Sequence, residues 1–275
     1  MPIIRFLDAK GEIRTGLELE GGRAEIARGD PAGGYFGTGE VADVARLLAP
    51  IIPTNIFGIG LNYRRHAAET GQEIPERPIV FMKPTSALLD PGAPIRIPAC
   101  CEHGPEVDWE AELAVVIGRP GRDIPESRAL EHVLGYTCAN DVSARRWQKH
   151  AGGGQMVRGK SFDTFCPLGP RLLTPIEIGD PGGLAIRSFV NGGPKQSSTT
   201  ADMVHGVAAL IAWLSRDTTL LPGTVILTGT PEGVGVAREP PEFLGPGDEV
   251  VVEVEGIGRL VNPVVGPDGG SGSPG

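Results

Sequence analysis

Short runs in which apolar and polar residues alternate follow one another along most of the chain, and such alternation is typical of β-strands. The clearest alternation covers three segments, residues 3–7, 14–19 and 109–117. A helical pattern covers four segments, residues 41–48, 62–70, those that follow Asp141, and 201–214. The 41 glycines and 26 prolines divide the chain into segments that suit strands and tight turns. The pattern therefore predicts a β-rich α+β fold.

The predicted elements divide the chain into three parts. Two strands and one helix predict a small N-terminal domain over residues 1–52, and the longer strand-rich stretch predicts a main domain over residues 53–266. Residues 267–275 are rich in Gly, Ser and Pro and contain nothing apolar, so ordering them would cost entropy without burial in return. We expect a flexible tail there.

Composition limits the classes of partner and the cellular compartment that are consistent with this sequence. The 275 residues include 34 acidic and 25 basic side chains, and the net charge of −9 argues against a nucleic acid or an anionic membrane as partner. The apolar runs are far shorter than the roughly 20 residues of a membrane span, and the first ten residues lack a signal pattern. Four cysteines without paired spacing favour reduced thiols, so we expect a cytoplasmic location.

Three carboxylates are candidates for a metal site. On a strand, Glu110 and Glu112 lie on one face, roughly 7 Å apart. Such a pair repels itself unless one member is protonated or both surround a cation, and oxygen ligands favour Mg²⁺ or Mn²⁺ over zinc. Asp141 is the candidate third ligand, because it opens a helical pattern that places Arg145 and Gln148 on its face. The alternative is a half-exposed strand with both glutamates in water and an aspartate that only caps a helix.

A histidine and a glutamate, His66 and Glu69, are candidates for proton transfer. They are three residues apart in a segment with a helical pattern, so the carboxylate can orient the imidazole and stabilise its protonated form. Pairs of this kind are also common on solvated helices, so only the neighbouring carboxylates make this pair a candidate base.

Two glycine-rich segments carry candidate ligand contacts. Lys160 follows the glycines of residues 152–154 and Gly159, where the backbone can approach a ligand closely. Thr230 lies in a loop, residues 228–235, whose amides could bind an anion, although an ordinary glycine turn is equally consistent with its composition.

Two further motifs suggest other chemistry and are weaker. Residues 154–161 match the Walker A phosphate-loop pattern, but prolines follow where that motif requires a helix. Cys100, Cys101 and His103 together suggest zinc, without the spacing that is typical of a zinc site.

Five motifs, taken in order, resemble those of the fumarylacetoacetate hydrolase family. They are Gly60-Leu-Asn-Tyr-Arg-Arg-His66-Ala-Ala-Glu69, Asp108-Trp-Glu110-Ala-Glu112-Leu, Asn140-Asp141-Val-Ser-Ala-Arg145, Arg158-Gly-Lys160-Ser-Phe-Asp163-Thr-Phe-Cys-Pro-Leu-Gly-Pro170 and Leu227-Thr-Gly-Thr230-Pro-Glu-Gly-Val-Gly235. The resemblance covers roughly residues 56–265, and the chain is similar to the small bacterial members and to fumarylacetoacetate hydrolase domain-containing protein 2. It implies that the main domain is a catalytic domain built as a mixed β-sandwich roll, usually in a homodimer.

The resemblance also implies a role for each candidate residue. The metal ligands for Mg²⁺, or alternatively Mn²⁺, would be Glu110, Glu112 and Asp141. The catalytic residues would be His66 and Glu69, as a water-activating pair, and Lys160. The contacts to the charged end of the substrate would be Arg145, Gln148 and Thr230, together with Lys160.

The implied activity is that of a Mg²⁺-dependent hydrolase for a small 2-oxo acid. We expect cleavage of a carbon–carbon bond in an acylpyruvate-like 2,4-dioxo acid, such as fumarylpyruvate, through a metal-stabilised enolate. The alternative on the same site is an oxaloacetate decarboxylase or tautomerase, or an isomerase or decarboxylase of aromatic-acid catabolism, which needs no attacking water. A metal-stabilised binding module without catalysis is disfavoured because both His66 and Glu69 are retained.

Overall fold

A computed structural model describes residues 1–150 and 154–269. Most of its regular structure is strand. The strands are β1 (Ile3–Asp8), β2 (Ile13–Leu19), β3 (Arg23–Asp30), β4 (Gly34–Leu48), β5 (Ile56–Gly60), β6 (Ile79–Lys83), β7 (Leu88–Leu89), β8 (Ile95–Arg96), β9 (Val107–Asp108), β10 (Ala111–Ile117), β11 (Val133–Asn140), β12 (Ser143–Ala144), β13 (Cys166–Leu173), β14 (Ala185–Val190), β15 (Gly193–Thr199), β16 (Val225–Leu227), β17 (Glu249–Val254) and β18 (Gly258–Val265).

The helices are short and connect the strands. They are α1 (Arg64–Glu69), α2 (Arg145–Lys149), α3 (Met156–Gly159), α4 (Pro175–Ile178) and α5 (Val207–Leu214). Short 3₁₀ helices cover Thr85–Ala87, Glu126–His132, Pro181–Gly183, Thr200–Asp202 and Gly235–Ala237. Within residues 1–150 and 154–269, no helix has the length and apolar character that a membrane crossing requires.

Two sheets carry the architecture. The larger sheet has the order β2-β3-β4-β1-β13-β11-β10-β16-β5-β6, with β7 beside β13, and the smaller has the order β15-β14-β17-β18-β8. Most neighbours are antiparallel, and the parallel exceptions include β5 beside β16. Leu113 and Val115 of β10 share one buried cluster with Ile186 of β14 and Val252 of β17, so the two sheets pack face to face. The predicted β-rich α+β sandwich is confirmed.

Strand β10 is covered on both of its faces, which decides the environment of the site. Its odd-numbered residues face the cluster between the sheets, while Ala114 and Val116 belong to a second buried cluster on the opposite face. Fully burying each aliphatic side chain of this kind contributes about 1.5–3 kcal/mol. The polar residues that precede these apolar positions on β10 are therefore held in a dry environment.

The prediction of a helix over residues 41–48 is wrong, because this segment is the second half of β4. Strand β4 pairs with β1, with Phe6 opposite Leu47, and with β3, with Glu25 opposite Val41. Ladders on both edges satisfy the backbone, and this tertiary pairing outweighs the weak local preference for helix.

Two other helix predictions hold over shorter lengths than expected. Residues 201–214 divide at Gly206, and only Val207–Leu214 forms a helix. The helix after Asp141 begins at Arg145, since the short strand Ser143–Ala144 pairs with β9 before it. The division of the chain at residues 52 and 53 stays a prediction, and β1 joins the larger sheet through Ile3 opposite Leu172. Of the predicted tail, residues 270–275 lie outside the described residues, as do Gly152 and Gly153.

Candidate metal centre and active site

The antiparallel pairing of β10 with β11 brings the three predicted metal ligands together. Ala111 lies opposite Asn140 in the ladder, so the residues just outside each strand end become neighbours. The Asp141 amide donates to the Glu110 carbonyl oxygen at 2.9 Å. One carboxylate oxygen from each of Glu110, Glu112 and Asp141 lies within 4.8 Å of the other two.

These carboxylates are buried, so the alternative of glutamates on a wet strand face is wrong. Glu110, Glu112 and Asp141 are 5%, 1% and 0% exposed. The sequence pattern suggested that Asp141 opens a helix. It does not, because its amide is bound to the neighbouring strand end. Among the described residues, this trio is the one group of three candidate ligands, and Cys100, Cys101 and His103 are not part of it.

Three buried cations surround the trio. Arg145 Nη1 lies 2.6 Å from Glu110 Oε1, and Lys160 Nζ lies 2.7 Å from Glu110 Oε2 and 2.6 Å from Asp141 Oδ2. Lys83, which the sequence analysis missed, pairs with the other oxygen of Asp141. The available signal was a lysine that ends the apolar strand β6.

Asp108 is a second residue that the sequence analysis left without a role. Its carboxylate accepts from Arg145 Nε at 2.7 Å and from the backbone amides of Gly235 and Val236 at 2.7 and 3.0 Å. Asp108 therefore fixes the guanidinium of Arg145 and ties it to the loop that follows Thr230.

The electrostatics single out Glu112. Burial, followed by the charges of Asp141 and Glu110, raises the pKa of Glu112 well above its usual range. Burial also disfavours the charge of Glu110, but Lys160 and Arg145 outweigh it and hold the pKa of that carboxyl below its usual range. Glu112 makes no ion pair within the described residues, and its Oε2 accepts only the Gly229 amide, at 2.6 Å.

A divalent cation fits this arrangement. If all four buried carboxylates, those of Asp108, Glu110, Glu112 and Asp141, are ionised, they face only three cationic side chains, and one negative charge lacks a partner. The three oxygens that meet within 4.8 Å form a ligand set of the type that hard cations prefer. The trio would hold such an ion, and the repulsion that burdens Glu112 would then be removed.

The predicted histidine–glutamate pair is formed on α1. His66 Nδ1 lies 3.2 Å from Glu69 Oε2, and Glu69 Oε1 accepts the Gly233 amide at 2.8 Å. This contact favours the tautomer in which Nδ1 donates to the carboxylate, and in a neutral ring of that tautomer Nε2 has a free lone pair. The Arg65 amide donates to Asp202 Oδ2 at 3.0 Å, which anchors the start of α1 to the 3₁₀ turn before α5.

One small cavity, about 110 Å³ in volume, connects these groups. The predicted site residues that line it are His66, Glu110, Arg145, Gln148, Lys160 and Thr230. The remaining three lie directly behind them, since Glu112 and Asp141 neighbour Glu110 and Glu69 holds His66. The structure thus brings all nine together, while their individual roles stay predictions.

The glycine before Lys160 serves packing. A Cβ on Gly159 would lie 2.7 Å from the Gln148 amide nitrogen and 2.9 Å from the Ala144 oxygen. The absence of a side chain therefore lets α3 pack against α2 and places Lys160 beside the carboxylates.

Gln196 sets the hydrogen-bond polarity of Thr230 and was missed by the sequence analysis. Its Oε1 accepts from the Ala111 amide and from Ser188 Oγ, both at 2.9 Å. Its Nε2 donates to the Pro231 carbonyl at 2.9 Å and to Thr230 Oγ1 at 2.8 Å. Thr230 must therefore donate its own proton to the Ala111 carbonyl, 3.0 Å away. Towards the cavity, the Thr230 hydroxyl can only accept.

Because Gln196 satisfies four buried groups, Gln196→Leu is expected to lower the free energy of unfolding by about 2–4 kcal/mol. Urea denaturation measures this change. Gln155→Leu, at an exposed position, is the matched control and should change stability by about 0.5 kcal/mol or less. Equal effects of the two substitutions would contradict the assignment.

A buried set of three carboxylate ligands beside a small cavity that contains a histidine is typical of metal-dependent enzymes for small polar substrates. Residues 55–265 match the family model described as fumarylacetoacetate (FAA) hydrolase C-terminal. The chain therefore belongs to the fumarylacetoacetate hydrolase family, and the predicted resemblance is confirmed.

Relatives within the family carry names for different reactions. A mitochondrial oxaloacetate tautomerase of Xenopus laevis is 54% identical over 220 residues, which cover 80% of this chain and 68% of that protein. The 5-carboxymethyl-2-hydroxymuconate delta-isomerase of Mycobacterium smegmatis has 42% identity and a TM-score of 0.83, over 97% of this chain and 100% of that one. A fumarylacetoacetate hydrolase of Exiguobacterium antarcticum has 35% identity and a TM-score of 0.81, over 97% and 99%. This chain is accordingly an enzyme of the family.

Proposed function

We propose that this enzyme interconverts the keto and enol forms of a small 2-oxo dicarboxylate, of which oxaloacetate is the simplest, with Mg²⁺ or Mn²⁺ at the carboxylate trio. The observation that carries the proposal is a cavity of about 110 Å³ with His66 on one wall and Arg145 and Lys160 in the same lining. Pockets for drug-sized ligands have roughly 300–1,000 Å³, so the size favours a four-carbon acid. The tautomerase and isomerase names of similar proteins also favour this alternative over the hydrolysis placed first by the sequence analysis.

The arginine of the site supports a carboxylate ligand. Arg145 Nη2 is buried and has no hydrogen-bond partner within the part of the chain that the structure describes. A buried donor without a partner costs about 1–3 kcal/mol, and a substrate carboxylate in the cavity would remove that cost. Gln148, whose Oε1 accepts from Arg145 Nη1 at 3.1 Å, helps to hold the guanidinium in place.

In this proposal His66 is the residue that transfers the proton. Its Nε2 takes the proton from the carbon next to the keto group, and the C–H electron pair forms the new carbon–carbon double bond. The keto oxygen then receives a proton from the imidazolium, which restores neutral His66 and completes the enol. Glu69 keeps the proton on Nδ1 and stabilises the imidazolium between the two transfers. When bound, a divalent cation supplies Lewis acidity at the keto oxygen.

The polarity at Thr230 suits an enol. Its hydroxyl donates to the Ala111 carbonyl, so that it can accept a hydrogen bond from an enol hydroxyl but cannot donate one to a carboxylate. We therefore place Thr230 beside the reacting oxygen of the substrate, whereas the sequence analysis had placed it at the charged end.

Hydrolysis of an acylpyruvate is the second candidate. It is favoured by the likeness to the Exiguobacterium antarcticum hydrolase and by the His66–Glu69 pair, which could equally remove a proton from water. In that reaction the carbon–carbon bond is cleaved, so the products differ from those of tautomerisation.

The two functions separate in one experiment. Purified enzyme with Mg²⁺ is mixed with oxaloacetate or with a series of acylpyruvates, and enol absorbance and released pyruvate are followed against Mg²⁺ in buffer alone. We expect faster keto–enol exchange of oxaloacetate without release of products. Pyruvate release from an acylpyruvate without any effect on oxaloacetate would overturn the proposal in favour of hydrolysis.

Assembly and location remain proposals. The homodimer implied by the family resemblance can be measured by sedimentation of the full chain. The cytoplasmic location expected from the sequence contrasts with the mitochondrial location in the name of the Xenopus laevis relative.

A further inference from the structure

The cationic side chains of the cavity differ in how many carboxylates they pair with. Arg145 pairs with Asp108 and Glu110, and Lys160 pairs with Glu110 and Asp141. Lys149, the last residue of α2, lines the same cavity, is exposed, and makes no ion pair with any carboxylate in residues 1–150 and 154–269. Among these three side chains, Lys149 is therefore the one that pairs with no carboxylate in the described residues.

Lys149 and Arg145 are positioned relative to each other by helix α2. They are four residues apart on α2, so they lie on the same side of the helix with an axial separation of about 6 Å. Arg145 is the deeper of the two, at 6% exposure, and its Nη2 has no partner among the described residues. Two cations so placed can bind the two carboxylates of one short diacid.

Among the described residues of the lining, the other Arg and Lys side chains, Arg145 and Lys160, already pair with carboxylates. Several walls are apolar, formed by Ile59, Ile79, Phe81 and Met156. Two neutral amides also line the cavity: Gln72 Nε2 donates to Thr70 Oγ1 at 3.2 Å, and Gln148 is oriented by the hydrogen bond from Arg145 to its Oε1. A carboxylate held against apolar walls without a cation would be strongly disfavoured.

We propose that Lys149 is the specificity-determining residue that selects substrates with a second carboxylate, distal to the 2-oxo acid group. The inference rests on the proposed function for the reaction, but the selection is a property of binding and can be measured separately. In the competing interpretation Lys149 is only a solvated surface lysine, and then its charge would not distinguish one substrate from another.

The kinetic test compares two substrates that differ only in the distal charge, oxaloacetate and its 4-methyl ester. For Lys149→Met we expect a roughly tenfold higher KM for oxaloacetate, little change in kcat, and unchanged kinetics with the ester. Lys149→Arg should retain the wild-type preference, and Lys10→Met, at an exposed position outside the cavity lining, should have no effect. Equal effects of Lys149→Met on both substrates, or none on either, would overturn the assignment.

A binding test measures the role of Lys149 even if the enzyme proves not to be a tautomerase. Calorimetric titration with Mg²⁺ present compares malate with lactate, two 2-hydroxy acids of which only malate has a distal carboxylate. We expect wild type to bind malate roughly tenfold more tightly and Lys149→Met to lose this preference. That result without turnover of oxaloacetate would reject the proposed function and leave Lys149 as the selector. Equal affinities in wild type, or binding of neither acid, would reject the selector.

Discussion

Glu112→Gln is expected to abolish metal-dependent activity while leaving the metal-free protein about as stable as wild type. The carboxylate of Glu112 is 1% exposed, lies among like charges and pairs with no cation in the described residues. The metal-free site disfavours the ionised form of this carboxyl, so an amide in its place costs little stability, whereas it deletes one of three oxygen ligands. The loss of Mg²⁺ affinity should exceed the roughly 10- to 100-fold that is typical of changes to outer-shell partners.

Calorimetric titration with Mg²⁺ and thermal unfolding with a chelator measure the two effects. The matched comparison is Glu110→Gln, which also removes a ligand but leaves Arg145 and Lys160 each short of a partner. Breaking a buried pair on one side costs about 3–5 kcal/mol, so only this second variant should be clearly destabilised without metal. Unchanged Mg²⁺ affinity in Glu112→Gln would refute the ligand assignment.

His66→Gln is expected to lower kcat by about 10²- to 10⁴-fold while Mg²⁺ affinity stays at the wild-type value. The imidazole is the group in the cavity lining that we assign to proton transfer, and it makes no ion pair with the three metal ligands. Glutamine keeps a polar side chain there but cannot take up the proton. Initial rates with oxaloacetate, together with metal titration of the same preparation, measure both quantities.

Two further variants control this result. His103→Gln, at a side chain that is 70% exposed, should retain wild-type activity. Glu69→Gln should reduce kcat less than His66→Gln, because it removes the group that orients the ring and leaves the ring itself. A wild-type kcat in His66→Gln would show that another group moves the proton.

Local sequence patterns were sufficient to predict a feature wherever that feature depended on one short segment alone. Alternation predicted the strands Ile3–Asp8 and Ile13–Leu19 to within a residue at each end, because a pleated strand places every second side chain on the same face. The spacing of Glu110 and Glu112 put two carboxylates on one face, and that of His66 and Glu69 put base and partner on one side of a helix. Spacing alone did not decide whether these residues lay in water or in a dry site. The ordered motifs of the family favoured a metal site, and the structure showed that the carboxylates are buried.

Local patterns could not predict which residues that are far apart in the sequence contact each other. Lys83 pairs with Asp141, 58 positions away, and Gln196 bonds to Ala111, 85 positions away. Each looks like an ordinary polar residue in its own segment. Residues 41–48 show the same limit in the opposite direction, since pairing with β1 and β3 overrode their helical pattern.

The sequence by itself determined that the protein is rich in strands, which side chains belong to the candidate site, and which family it resembles. Only the tertiary structure decided that the carboxylates are buried and that, among the described residues, neither Glu112 nor Lys149 has a partner of opposite charge. The reason is physical: periodicity records which face of an element a side chain occupies, whereas burial and charge pairing depend on what packs against that face.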